Sequence, residues 1–303
     1  MSVEQIIRLY AEGGHEMFRK AIWYRRLKAK FQSEGLRQVF QKLFSEDGHG
    51  LNPATLGSDR LKTYLLVVTR NASTGSPWPI TNNPNAKYNK KGTPGCNLEL
   101  PLWQLVRAST AAPAYFPPEV VTIYGADKFS KGVQCAFEDG GVTPYNNPAF
   151  LLYLKATLPE YQMGWPTGTD RISLLSIGTG MEPPGREKHE ISLLEAASAV
   201  PSTLISGVAN NQDLICRVHG DCRFGPPLDS ELGDLIRPNP HAHFTYTRYD
   251  HQFTKDELAE AKSISKLGIT LDNLDLMPFL MEIGSRYAAK NVSLAHFHRP
   301  DPA

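Results

Sequence analysis

No apolar run in these 303 residues approaches the ~20 that a transmembrane helix needs. Neither sign of charge dominates: 32 Lys and Arg face 31 Asp and Glu, a net charge of +1, so no global field recruits nucleic acid. Cysteine is scarce. Four scattered residues, Cys96, Cys135, Cys216 and Cys222, do not make the dense pattern of a disulfide scaffold, which favours a reducing, cytoplasmic compartment. The opening Met1-Ser2-Val3-Glu4-Gln5 has no basic stretch followed by an apolar one, and so no visible secretion signal. There is no internal repeat, no low-complexity linker and no helix-turn-helix, RNA-recognition or zinc-finger pattern. What is present, 41% hydrophobic and 21% charged residues, is the composition of a globule with room for one large or two small domains.

Helical periodicity opens the chain. Ser2 and Gln5 are spaced as a capping box, Val3, Ile6, Ile7 and Tyr10 share one face, and Gly13-Gly14 is expected to stop the helix. A second amphipathic helix runs through Leu36, Val39, Phe40 and Leu43. Between them Arg25-Arg26-Leu27-Lys28-Ala29-Lys30 is flanked by Trp23, Tyr24 and Phe31. Such a cluster either seats a protein peripherally on anionic lipid or forms a solvated helical face.

Residues 63–69 are short, apolar and β-branched, which predicts a buried parallel strand. Residues 71–97, rich in Asn, Pro, Gly and Lys, read as an excursion loop. Then come a helix at 102–109, a strand at 135–139, a helix with Asn147 as N-cap and Pro148 at its first position, and a strand at 172–177 closed by Gly178-Thr179-Gly180. That order predicts an α/β fold, a parallel sheet flanked by helices with right-handed crossovers, over residues 1–190. Residues 191–303 carry mainly helical patterns, at 193–219, 255–264 and 274–294, expected to pack on the sheet domain.

Phe137-Glu138-Asp139-Gly140-Gly141-Val142, continuing to Asn146-Asn147-Pro148, is the segment richest in chemistry. It ends a strand on a carboxylate, and in open α/β sheets the carboxyl ends of strands are where ligands bind. Gly140 and Gly141 let the backbone adopt positive φ and turn Asp139 outward; a plain turn is the bland alternative.

Three segments, in this order, resemble the patatin-like phospholipase family. They are Leu105-Val106-Arg107-Ala108-Ser109-Thr110-Ala111-Ala112-Pro113-Ala114-Tyr115-Phe116-Pro117-Pro118, the Asp139-Gly140-Gly141 block through Ala149, and Leu175-Ser176-Ile177-Gly178-Thr179-Gly180. The resemblance covers about residues 1–185, with 1–18 similar to the helix that follows the family's nucleophile turn. It implies a serine acyl hydrolase of lipid or phospholipid esters, working through a Ser–Asp dyad without a cofactor or metal. Asp139 matches the dyad aspartate, with Gly140 and Gly141 shaping its turn. A carboxylate in that role is expected to be partly desolvated, so that its basicity rises toward the working pH. The small residues Ala108 to Ala112 would let backbone pass close to the acyl site, or simply pack a helix tightly.

The chain departs from the family's pattern at the nucleophile. No Gly-x-Ser-x-Gly elbow occurs in these residues, nor does a Gly-rich oxyanion loop. In the family both belong ahead of the helix that 1–18 resembles. The fold is therefore expected to be N-terminally incomplete: a truncated product, an internal start, or one half of a split enzyme that needs an N-terminal complementing segment. Ser76, Ser109 and Ser176 are the nearest stand-ins, but none lies between glycines at a strand-to-helix turn. Without attacking group or oxyanion donors the chain alone is expected to be inactive. The rival expectation is a non-catalytic lipid-binding or interaction protein that retains the fold.

Other constellations have plainer readings. Cys216, His219 and Cys222 offer three soft ligands, but a helix end stopped by Gly220 explains the spacing without a fourth ligand. The pairs His241/His243 and His296/His298 read as solvated loop residues. Gly178-Thr179-Gly180 lacks the spacing and lysine of a phosphate loop.

Overall fold

The computed structural model describes residues 2–18, 30–93, 95–123, 132–181, 193–270 and 272–297. Ser2 caps helix α1 (Val3–Met17) as its spacing foretold: its Oγ accepts the Gln5 N–H and the Gln5 side chain returns to the Ser2 N–H at 2.8 Å. Gly13-Gly14 does not stop this helix, which runs one turn further because Met17 buries into an aromatic cluster with Phe31, Phe40 and Phe116. Helix α2 (Ser33–Leu43) turns Leu36 and Phe40 into the same cluster.

The strand expected at 63–69 forms three residues later, as β1 (Leu66–Asn71). It is antiparallel to both its neighbours, which corrects its assignment to a parallel sheet. One neighbour comes from inside the expected excursion loop: β2 (Ser76–Thr81) folds back on β1 across a turn with Gly75 at φ +72°. Its prolines, Pro77 and Pro79, hid it from a reading of the sequence. They fit because β2 is an edge strand, where a missing N–H costs nothing. The other neighbour is β4 (Val133–Asp139), which pairs in turn with β3 (Glu119–Ile123), giving the order β2-β1-β4-β3. Helix α3 (Leu102–Ser109) lays Leu105 and Ala108 on this sheet, and Val121 and Phe137 close the layer.

A parallel sheet does exist, elsewhere. It has the order β5-β7-β6, from β5 (Ser173–Ile177), β6 (Asp221–Phe224) and β7 (Thr245–Tyr249), with α5 (Leu193–His219) between β5 and β6. The region beyond residue 190 therefore contributes two strands as well as its helices, α5, α6 (Lys255–Ile264) and α7 (Met277–Asn291). Tyr246, Phe244, Leu174, Cys216 and Cys222 form the core under this sheet with Ala149 and Tyr153 of α4 (Ala149–Thr157).

The α/β class and a parallel sheet thus hold, and of the expected strands the one at 172–177 lies in it, as β5. The chain packs as two compact units, Met1–Asn146 with Lys155–Gly164, and Asn147–Leu154 with Trp165–Ala303. Among the described residues no helix is long and apolar enough to cross a membrane. Of the 25–30 basic cluster only Lys30 lies within the described residues.

Candidate active site around Asp139

Asp139 closes β4 opposite Thr69 of β1, and its N–H donates to the carbonyl of Ala111 just beyond α3. Its side chain caps a single 3-10 turn, Gly140–Val142, with Oδ1 accepting the Gly141 N–H at 2.7 Å. Thr143 ties the turn off by donating its hydroxyl to the Gly140 carbonyl at 2.6 Å. Strand end, turn and the residues closing α3 meet around Val68 and Ala111.

The two glycines are needed for a different reason from the one expected. Neither Gly140 nor Gly141 has positive φ. A Cβ on Gly140 would overlap the carbonyl of Val68, an oxygen that also accepts the Ser109 hydroxyl at 2.7 Å. A Cβ on Gly141 would lie 2.9 Å from Asn146 Oδ1 and 3.1 Å from Asp139 Oδ1. Space, not backbone handedness, selects glycine at both positions.

Electrostatics separate Asp139 from its neighbour. Glu138 is ion-paired to Arg70 at 2.5 Å. No cation pairs with Asp139 among the described residues, and burial pushes its carboxyl above the ordinary range, with the Gly141 N–H pulling the other way. A partly buried carboxylate with raised basicity and an ion-paired neighbour can accept a proton from a hydroxyl brought to it.

The stand-in serines are all engaged. Ser109 is bonded to Val68 as above, and the Ser76 and Thr74 hydroxyls share a hydrogen bond at 2.7 Å. Ser176 is buried, donating to Asn147 Oδ1 at 3.0 Å and accepting from Arg248 at 2.6 Å. Asn147 in turn accepts the Ala149 N–H at 3.3 Å, its expected capping contact at the start of α4. Arg248 also pairs with buried Asp250, whose carboxylate accepts the Gly180 N–H at 2.8 Å. Side chain at Gly178 is excluded by that same carboxylate. Asp250, just beyond β7, had no sequence signal, since no element was expected between 219 and 255.

The remaining candidates are dispersed. Cys216 and Cys222 sit in the parallel-sheet core while exposed His219 stacks against Phe150 and His243. His296 meets the Tyr249 hydroxyl at 2.7 Å and stacks on Phe224; His298 lies outside the described residues. Among the described residues no group of His, Cys, Asp or Glu is arranged to hold a metal ion.

Residues 6–153 match the family model described as patatin-like phospholipase, a family of lipid acyl hydrolases. Among curated proteins none matches the chain.

Proposed function

The chain carries a patatin-like phospholipase domain, and from that premise we propose that it supplies the general base of a Ser–Asp dyad for hydrolysing lipid or phospholipid esters. Asp139 takes the proton of a serine hydroxyl as that oxygen attacks the ester carbonyl. The proton passes on to the departing alcohol oxygen, leaving an acyl-enzyme; water then attacks that ester, Asp139 accepting its proton and returning it to the serine oxygen as the fatty acid leaves. The supporting observation is the raised basicity of Asp139 at the end of β4, fixed by Gly141 and free of any cation among the described residues.

The serine belongs, on this reading, to a complementing segment with a Gly-x-Ser-x-Gly turn, which these 303 residues do not contain. The engagement of Ser76, Ser109 and Ser176 in other hydrogen bonds favours a second reading, a non-catalytic lipid-binding protein on the same fold.

Hydrolysis of p-nitrophenyl esters separates the two. The chain alone should be silent, and the chain fused at Met1 to a strand and Gly-x-Ser-x-Gly turn should turn over. Asp139→Asn should then lower the rate about 10²–10⁴-fold. Turnover by the unfused chain that survives Asp139→Asn would remove Asp139 from the reaction.

A further inference from the structure

Between Asp59 and Glu99 the chain holds no acidic residue, yet it carries Arg60, Lys62, Arg70, Lys87, Lys90 and Lys91. Two of these have acidic partners, Arg60 with Glu46 and Arg70 with Glu138, and Lys62 donates to the Asp59 carbonyl. Lys87, Lys90 and Lys91 are exposed, and among the described residues no carboxylate pairs with them. Tyr88 stands between them, 60% exposed, with the Lys87 ammonium 5.3 Å from its ring centre.

This loop is built, not loose. Asn89, in the middle of the lysines, points inward and is buried; its Nδ2 donates to the carbonyls of Thr81 at 2.7 Å and Asn83 at 2.6 Å. Asn83 is itself buried and donates to the Tyr161 carbonyl at 3.0 Å, while the Tyr88 carbonyl accepts the Asn97 N–H. Asn82 bonds both Thr63 and Leu65, which brings a second exposed tyrosine, Tyr64, to the same stretch. The one acid on the segments so joined is Glu160, beside Tyr161.

We propose that the Lys87–Tyr88–Lys90–Lys91 surface docks the protein on an anionic lipid bilayer. Lysines on a fixed frame attract acidic headgroups, and a tyrosine between them presents an apolar ring with a polar tip, the combination suited to a membrane interface. Flexible lysines without a planar arginine fork, in a chain of net charge +1, fit a diffuse lipid charge better than a nucleic acid. The choice of lipid rests on the proposed hydrolase reading; the charge and its frame do not.

Vesicle sedimentation tests it with the full chain. Binding is expected to vesicles of phosphatidylcholine mixed with phosphatidylserine, not to phosphatidylcholine alone, and to fall with added salt. The triple variant Lys87→Ala, Lys90→Ala, Lys91→Ala should bind the mixed vesicles on the order of a hundredfold more weakly, about fivefold per lysine, with its melting temperature unchanged. Tyr88→Ala should weaken binding by a smaller factor. Equal binding by the triple variant, equal binding to neutral vesicles, or binding to a single-stranded oligonucleotide in place of vesicles would each overturn the proposal. Asp139→Asn should bind vesicles as the parent does, so this assay and the esterase assay fail independently.

Discussion

Replacing Gly140 by alanine isolates the reason for the double glycine. The new methyl group would overlap the Val68 carbonyl oxygen and come within 2.8 Å of its carbon. That carbonyl has nowhere to go: β1 is held between β2 and β4, and the oxygen accepts the Ser109 hydroxyl. Overpacking against fixed backbone costs about 1–3 kcal/mol. Displacing the Ser109 hydrogen bond adds about 1 kcal/mol, for about 2–4 kcal/mol in all. Gly141→Ala should be milder, about 1 kcal/mol, because its nearest contact is the end of the exposed Asn146 side chain, which can swing away, leaving only the 3.1 Å approach to Asp139 Oδ1 to be relieved. Urea unfolding followed by fluorescence reads this directly, since Trp78 packs edge-on to Phe137 in the same sheet. A penalty at Gly140 under about 1 kcal/mol, or no larger than that at Gly141, would refute the steric account.

Three further outcomes follow from burial. Because burial raises the Asp139 carboxyl in the folded state, its protonation stabilises the fold, and that stability is lost as pH rises through the folded value. Asp139→Asn should therefore stabilise the protein at neutral pH and make no difference in acid below the unfolded carboxyl value of about 3.9; urea midpoints against pH check this, and a loss of stability at neutral pH would contradict it. Arg217, fully buried, is held bidentate by Asp213, which also accepts the Tyr246 hydroxyl. Asp213→Ala should cost about 3–5 kcal/mol in an unfolding titration by stranding that charge, and a loss under about 1 kcal/mol would mean that solvent reaches it. Burial pushes the Cys216 thiol up to about 12 and the Cys222 thiol up to about 11. In the folded protein at mildly alkaline pH a disulfide reagent should modify partly exposed Cys135 first, as mass spectrometry would show; early labelling of Cys216 would contradict the core placement.

The sequence was most legible where one local signal had no competitor. Ser2 with Gln5 announced α1, and the apolar spacings announced α3, α5 and α6 with their bounds. The end of β4 at Asp139 was equally clear, since only glycines follow it. Strand direction was not legible: a short β-branched run such as 66–71 looks the same whether its partner runs parallel or antiparallel, and tertiary pairing decides. The strands β3, β6 and β7 escaped for a related reason. Charged and aromatic residues such as Glu119, Arg248 and Tyr249 break the apolar run, yet Arg248 is internal because Ser176 and Asp250 satisfy it. Within the site, the need for Gly140 was readable but its cause was not, because Val68 lies 72 residues away in the chain and only the sheet brings them together.

Pro77 and Pro79 have a consequence beyond fitting where they stand. A rim of backbone short of donors is a rim that a foreign strand cannot readily zip onto, so this side of the antiparallel sheet is protected by its own chemistry. Exchanging both for threonine would leave a dilute melt almost untouched while making the protein sticky in proportion to its concentration. The defect would surface on storage or at high expression, a liability that no measurement on isolated molecules would reveal.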